Sequence, residues 1–216
     1  MFQGATAFND LGVAFTRSAN LWNTGAVTTM ASMFAGATGF NQSINNWNTV
    51  AVTNMTSMFD GATTFNQDIH LWDVHTVSNM QYIFRNSLEN ANLAAWVVTG
   101  ITGNSNGLNL WQNGSFSVSN YSATLVGWAA QTVQSSVNAV VSGSTFYNQA
   151  GLIARNTLTG VGKSWTISGD SAYGITVTLA STGGTSLGST IVFTATVTGT
   201  NAPNVAPTAN PNWTIT

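Results

Sequence analysis

The sequence predicts a β-rich mixed fold: a solenoid of short repeats, an α/β cap that closes it, and then part of a β-sandwich. Three observations predict it. The first hundred residues repeat with a period of 25. Residues 108–170 leave that period and take on helical spacing. From about residue 171 onward, apolar and hydroxyl residues alternate one by one, the spacing of a half-buried strand.

The repeat is read directly. "MFAGATGFNQSINNWNTVAVTNMTS" starts at Met33 and "MFDGATTFNQDIHLWDVHTVSNMQY" at Met58. Phe34, Phe59 and Phe84 align, as do Phe40 with Phe65, Ile44 with Ile69, and Gly36 with Gly61. Trp22, Trp47 and Trp72 form one column, Val27, Val52 and Val77 a second, and Met30, Met55 and Met80 a third. The opening unit joins at Phe2, Gly4 and Phe8, with an insertion of roughly Gly12 to Ser18 before Trp22. A coil of this length cannot bury its apolar face alone, so stacked coils must place each column residue on its equivalent. Within each unit, "FNQSINNW" reads as a short strand and turn. "VTNMTSMF" reads as a one-sided helical turn ended by Gly61. Asn41 with Asn66, and Asn54 with Asn79, are placed to form amide ladders along the stack.

The run Met-Phe-x-Gly-Ala-x-x-Phe-Asn-Gln-x-Ile-x-x-Trp, followed by Val-x-Asn-Met-x-x-Met-Phe, resembles the BspA-like leucine-rich repeat surface proteins over about residues 1–100. The resemblance implies a right-handed leucine-rich-repeat-like solenoid, displayed at a surface for adhesion or recognition. It carries no common enzymatic activity, so it implies no catalytic residues. The chain departs from the pattern at the first-unit insertion and after Phe84, where "RNSLENANLAAWVV" keeps Leu93 and Trp96 but loses the phase. The repeat region is set at 1–107. Because the chain begins in mid-repeat, any signal peptide is expected upstream of Met1.

A solenoid end exposes apolar surface unless it is capped. Residues 108–170 read as that cap: a strand at Phe116–Val118, then a helix N-capped by Asn120 or Ser122. Tyr121, Leu125, Val126, Trp128 and Ala129 fall mostly on one face of that helix. "NAVVSG" reads as a strand, "STFYNQAGLIARNTLTG" as a helix stopped by Gly160, and "KSWTISGD" as a closing strand. The layout resembles the cap that follows such repeats in large bacterial surface proteins.

Residues 171–216 carry strands at Ile175–Leu179 and Ile191–Thr198 around a Gly/Ser/Thr turn, with a third candidate at Trp213–Thr216. This resembles the first half of a bacterial immunoglobulin-like domain. Such a sandwich needs about seven strands in about 100 residues, so the domain is expected to continue beyond the chain or to pair its edges with a neighbouring copy.

Composition narrows the function. Only 5% of residues are charged, while 11% are aromatic, which favours a folded chain with an Asn, Gln, Ser and Thr surface over a disordered one. The four basic residues, Arg17, Arg85, Arg155 and Lys163, are scattered, which excludes nucleic acid and polybasic membrane binding. With no cysteine there are no disulfides, thiol catalysis or Cys-held metals. No apolar run is long enough to span a bilayer.

Chemistry-bearing residues are few. His70 and His75 lie with Asp68 and Asp73 in "DIHLWDVH". Two imidazoles and a carboxylate suit zinc, but both histidines also fit solvated turns beside Trp72, and unit two has Asn45 and Val50 in their places. The acids Asp60, Asp68, Asp73 and Glu89 carry no glycosidase motif and read as solvated loop residues or occasional calcium ligands. No Gly-x-Ser-x-Gly elbow occurs, and "STGGTSLGS" lacks the lysine of a phosphate loop. Trp22, Trp47 and Trp72 suit either a sugar-binding strip or the core, and their recurrence with Phe and Met favours the core. Trp111 and Tyr121 are less constrained. No catalytic, cofactor-binding or metal residue is therefore assigned, no cofactor is expected, and the ligand-binding residues stay unassigned.

The expected function is non-enzymatic: a surface-displayed recognition or adhesion module that binds proteins or glycans on another surface. The alternative is a structural subunit of a virion (capsid decoration or fibre) or of an extracellular filament, with copies of itself as partners. Either places the chain outside the cell, on a cell or virion surface, without nucleic acid or membrane insertion.

Overall fold

A computed structural model of the chain describes Gly4 and residues 19–101, 108–111, 116–173, 176–182 and 192–198. The chain divides into two compact units, Met1–Ala172 and Tyr173–Thr216. In the first, a short 3-10 turn at Ala19–Leu21 precedes a stack of coils. The elements β1 (Leu108–Trp111), α1 (Val118–Ala129), β2 (Asn138–Tyr147), α2 (Gln149–Thr159) and β3 (Thr166–Ala172) follow. The first-unit insertion lies outside the described residues.

The coils are joined by their backbones along one seam. The N–H groups of Met30, Ser32, Phe34 and Gly36 donate to the carbonyls of Asn54, Thr56, Met58 and Asp60, at 2.7–2.9 Å. One coil further on, Met55, Ser57, Phe59 and Gly61 donate in the same way to Asn79, Gln81, Ile83 and Arg85. The intervening N–H groups turn inward: Met33 donates to Met30, and Ala35 to Ser32. Alternate amides thus tie neighbouring coils or close tight turns, so the seam's polar groups are paired without an extended strand. This alternation requires left-handed backbone at fixed places. Ser32, Ser57 and Tyr82 have φ of 53°, 53° and 60°, and Gly36, Gly61 and Asn86 have 69°, 72° and 58°. Glycine adopts this region freely and asparagine tolerates it, which explains the Gly-Gly-Asn column.

The expected secondary structure within each unit is corrected by this geometry. "FNQSINNW" forms no strand, and the residues after Asn54 and Asn79 form turns rather than a helical segment. The parallel bridges fall instead at Thr29, Asn54 and Asn79. The Asn54 and Asn79 side chains accept from the N–H two residues on, at 2.9 and 3.1 Å, so they shape their own turns and do not ladder. Asn41 does bridge coils: its Oδ1 accepts from Asn66 N–H and from Gln67 Nε2.

The columns fill the interior. Phe34, Phe40, Phe59, Phe65 and Phe84 are all fully buried. Phe34 stacks on Phe40 at 3.8 Å within one coil, and Phe59 on Phe65 at the same distance in the next. Between coils, Phe34 and Phe59 are 5.6 Å apart, and Trp47 and Trp72 are 6.1 Å apart with rings nearly parallel. Four indole N–H groups also find an acceptor in the preceding coil: Trp47 on Ala19, Trp72 on Ile44, Trp96 on Ile69 and Trp128 on Leu93. The same side chain thus supplies apolar area and a directional tie, which fixes register between coils.

That tie shows that the repeat continues past Phe84. Trp96 N–H donates to Leu93, as Trp72 does to Ile69 and Trp47 to Ile44. "ENANLAAW" therefore overlays "FNQDIHLW" residue by residue, with one residue deleted between Phe84 and Glu89. Phe84 N–H then donates to Leu110 in β1, and β1, β2 and β3 pair in that order, all parallel. That bond joins the coil seam to the sheet.

Helices α1 and α2 form the connections of this β-α-β-α-β segment. Ser117, not Asn120 or Ser122, N-caps α1: its Oγ accepts from Asn120 N–H, and Val118 opens the helix, so the strand expected at Phe116–Val118 is absent. Tyr121, Leu125 and Trp128 are buried, while Val126 faces outward. Asn148 caps α2 on Gly151, and Gly160 ends it in extended backbone. Gly127 marks where α1 meets the fourth coil. A methyl there would lie 2.3 Å from the Ala94 carbonyl oxygen and 2.6 Å from Ala94 Cα. Alanine normally favours a helix interior by about 1 kcal/mol over glycine. Here Gly127→Ala is expected to lower unfolding free energy by about 1–3 kcal/mol, because backbone must give way. Urea denaturation followed by tryptophan fluorescence checks the sign.

The second unit contributes β4 (Thr176–Thr182) and β5 (Val192–Thr198), which pair antiparallel from Thr176 opposite Thr198 to Thr182 opposite Val192. The third strand candidate at Trp213–Thr216 lies outside the described residues, and an immunoglobulin-like sandwich is not shown.

Candidate functional site

The histidine cluster resolves into two separate turns. Asp68 Oδ1 accepts from His70 N–H at 3.1 Å and contacts His70 Nδ1 at 2.5 Å. Asp73 and His75 repeat the arrangement at 3.1 and 2.6 Å. The imidazole bonded to each carboxyl holds both aspartates below the usual range. All four side chains are substantially exposed. Among the described residues, no three His, Cys, Asp or Glu side chains come together. Asp60 is not near Asp68 in role: it pairs with Arg85 one coil on, with Nε at 2.9 Å, and Arg85 lies over the Tyr82 ring at 4.3 Å. Trp47 and Trp72 are buried, so they form no open strip. Tyr121 is buried and donates to Asp170, and Trp111 lies in β1.

Glu89 is the acid that the sequence places least informatively. It stands in the Phe40/Phe65 column of the fourth coil and is fully buried. Its Oε1 accepts from Ala91 N–H at 2.7 Å, while Oε2 has no partner among the described residues. Burial pushes its carboxyl up to about 8, against the nearby N–H groups of Ala91, Gln67 and Asn90, and the charge of Asp68 adds to the rise. At neutral pH it is mostly protonated, the expected response of a carboxyl in an apolar column.

Beside the neighbouring Asn90 and Ala91, the surface carries a cleft of about 540 Å³. The fourth-coil overlay explains it. Where the third coil has Gln67, His70 and Leu71, the fourth has Ala91, Ala94 and Ala95. Three long side chains become methyl groups, and a hollow opens beside the third coil. Asn66, Gln67, Asp68 and His70 line one side. Asn90, Asn92 and Asn120, the last in the first turn of α1, line the rest. Part of this polar set is committed to the fold. Asn90 Oδ1 accepts from Ser117 N–H, Asn92 Oδ1 from Ala94 N–H, and Gln67 Nε2 donates to Asn41. Among the described residues, neither lysine nor arginine lines the cleft. No sequence motif announces such a site, because its defining feature is a loss of side chains. The only signal is the Ala-x-x-Ala-Ala spacing, visible once the register is known.

Stacked near-identical coils running into a parallel sheet define a repeat protein. The chain belongs to the family described as "Mycoplasma protein of unknown function, DUF285", whose model matches residues 1–117, more than half of its 216 residues. The membership is consistent with a repeat-type surface protein. No curated protein and no solved structure matches the chain. Among the described residues, no helix is long and apolar enough to cross a membrane.

Proposed function

We propose that the chain is a non-enzymatic recognition or adhesion module displayed outside the cell, with its coils forming a leucine-rich-repeat-like solenoid. The coil stack carries this reading. It holds side chains in register at fixed spacing over several coils, which suits binding along an extended face. The chain's low charge supports the same reading, since neighbouring surfaces approach such a face without strong repulsion. The test is binding of the purified, fluorescently labelled chain to intact cells and extracellular matrices, with unlabelled chain as competitor. Saturable, competable binding is the expected result. A chain found only in a regular lattice or filament by electron microscopy would overturn it in favour of a structural subunit.

A further inference from the structure

We propose that the cleft between the third and fourth coils binds an uncharged carbohydrate, a reading that rests on the recognition role above and names its ligand class. The groups left uncommitted in the cleft carry the argument. Among the described residues, the Asn66 amide has no side-chain partner, and Gln67 Oε1, Asp68 Oδ2, His70 Nε2 and Asn92 Nδ2 are open. These supply both donors and acceptors. A sugar hydroxyl needs both at once, since it donates and accepts.

The charge of the cleft selects further. The hydrogen bond from His70 favours the charged form of Asp68, and among the described residues neither lysine nor arginine lines the cleft. A cleft with a carboxylate and neither lysine nor arginine beside it disfavours phosphate, sulfate and carboxylate groups, so a neutral ligand fits best. Ala91, Ala94 and Ala95 add flat methyl surface against which the C–H faces of a pyranose can lie. The volume falls within the roughly 300–1,000 Å³ of small-ligand sites. A peptide is the weaker fit, because among the described residues the apolar lining is limited to alanine methyls, too short to enclose an anchoring side chain.

The site is also held in shape from behind. Glu89 accepts from Ala91 N–H, and Asn90 receives both Ser117 N–H and Asn120 Nδ2. The wall is thus bonded to the core and to α1 before any ligand arrives, and such preorganisation reduces the ordering that binding requires.

The test uses the full 216-residue chain on a printed array of uncharged oligosaccharides of hexoses and N-acetylhexosamines, with acidic oligosaccharides and peptides alongside. Binding to a subset of the uncharged sugars is expected. Asp68→Ala and Ala95→Leu should each weaken it at least tenfold. Ala95→Leu refills the hollow as Leu71 does in the third coil, where that side chain is 71% exposed, so the fold should tolerate it. An unchanged circular dichroism melt confirms that. Binding only to acidic sugars or peptides, or binding that Ala95→Leu retains, would overturn the proposal. So would a complete lack of sugar binding. If attachment to cells survives enzymatic removal of their glycans, the recognition role stands and the carbohydrate assignment alone fails.

Discussion

Arg155→Ala is expected to destabilise the Met1–Ala172 unit by about 3–5 kcal/mol, the range found when one partner of a buried ion pair is removed. Arg155 lies in α2 and Asp170 in β3. The Asp170 side chain is fully buried and that of Arg155 largely so. The guanidinium grips both carboxylate oxygens, with Nε at 2.9 Å from Oδ2 and one terminal nitrogen at 3.0 Å from Oδ1. That same nitrogen reaches the Ile167 carbonyl at 2.8 Å. Tyr121 completes the group from α1, its hydroxyl donating to Asp170 at 2.9 Å. Burial, together with the Asp170 charge, keeps that phenol well above its ordinary range. Without Arg155, a buried carboxylate retains a single neutral donor. Arg155→Lys should recover part of the loss, because an ammonium keeps the charge but not the two-pronged geometry. Equilibrium urea unfolding of the three proteins measures the order. Equal midpoints would show that the carboxylate does not depend on this partner.

Glu89→Gln is expected to abolish a pH dependence of stability that the parent chain shows between about pH 4.5 and 8. The folded-state value of about 8 lies above the ordinary 4.5, so the native state holds a proton that the unfolded chain releases. Stability from this group is full below about pH 4.5 and is lost as pH rises through about 8. The whole interval corresponds to at most about 5 kcal/mol, at about 1.4 kcal/mol per unit. Asp68 and Asp73 act with opposite sign and elsewhere. Their values are lowered, so their contribution is lost only as pH falls below the ordinary carboxylate range. Urea titrations at pH 5, 7 and 9 separate the two. A parent chain equally stable at pH 5 and 9 would show that Glu89 reaches water or a partner when it ionises.

Much of the interior is legible in the residue columns. Phe59, Trp72, Val77 and Met80 recur because each needs an identical neighbour in the next coil, and repetition is what stacking leaves in a sequence. The local backbone is less legible. Val52, Met55 and Phe59 carry helical spacing, yet Ser57 between them is left-handed at φ 53°. A serine gives no sign of that strain, whereas Gly61 does. The fourth coil is hidden by two coincident changes: a one-residue deletion shifts its phase, and Glu89 replaces the phenylalanine that would mark it. The cleft is obscured for the same reason, since Ala91, Ala94 and Ala95 resemble nothing until they are set beneath Gln67, His70 and Leu71. On α1, Ser117 outcompetes Asn120 as the cap because Asn120 already reaches back to the Asn90 carbonyl.

The repeated seam has a consequence for how such chains change length. Each coil offers its upper neighbour the same pattern of donors that it receives from below, so duplicating residues 33–57 would insert a full turn whose two faces are already complementary. Recombination between near-identical segments can therefore lengthen or shorten the molecule in whole coils. The fourth coil, with its alanines and its buried acid, would be carried outward unaltered. Length would then be a heritable variable set independently of what the cleft holds.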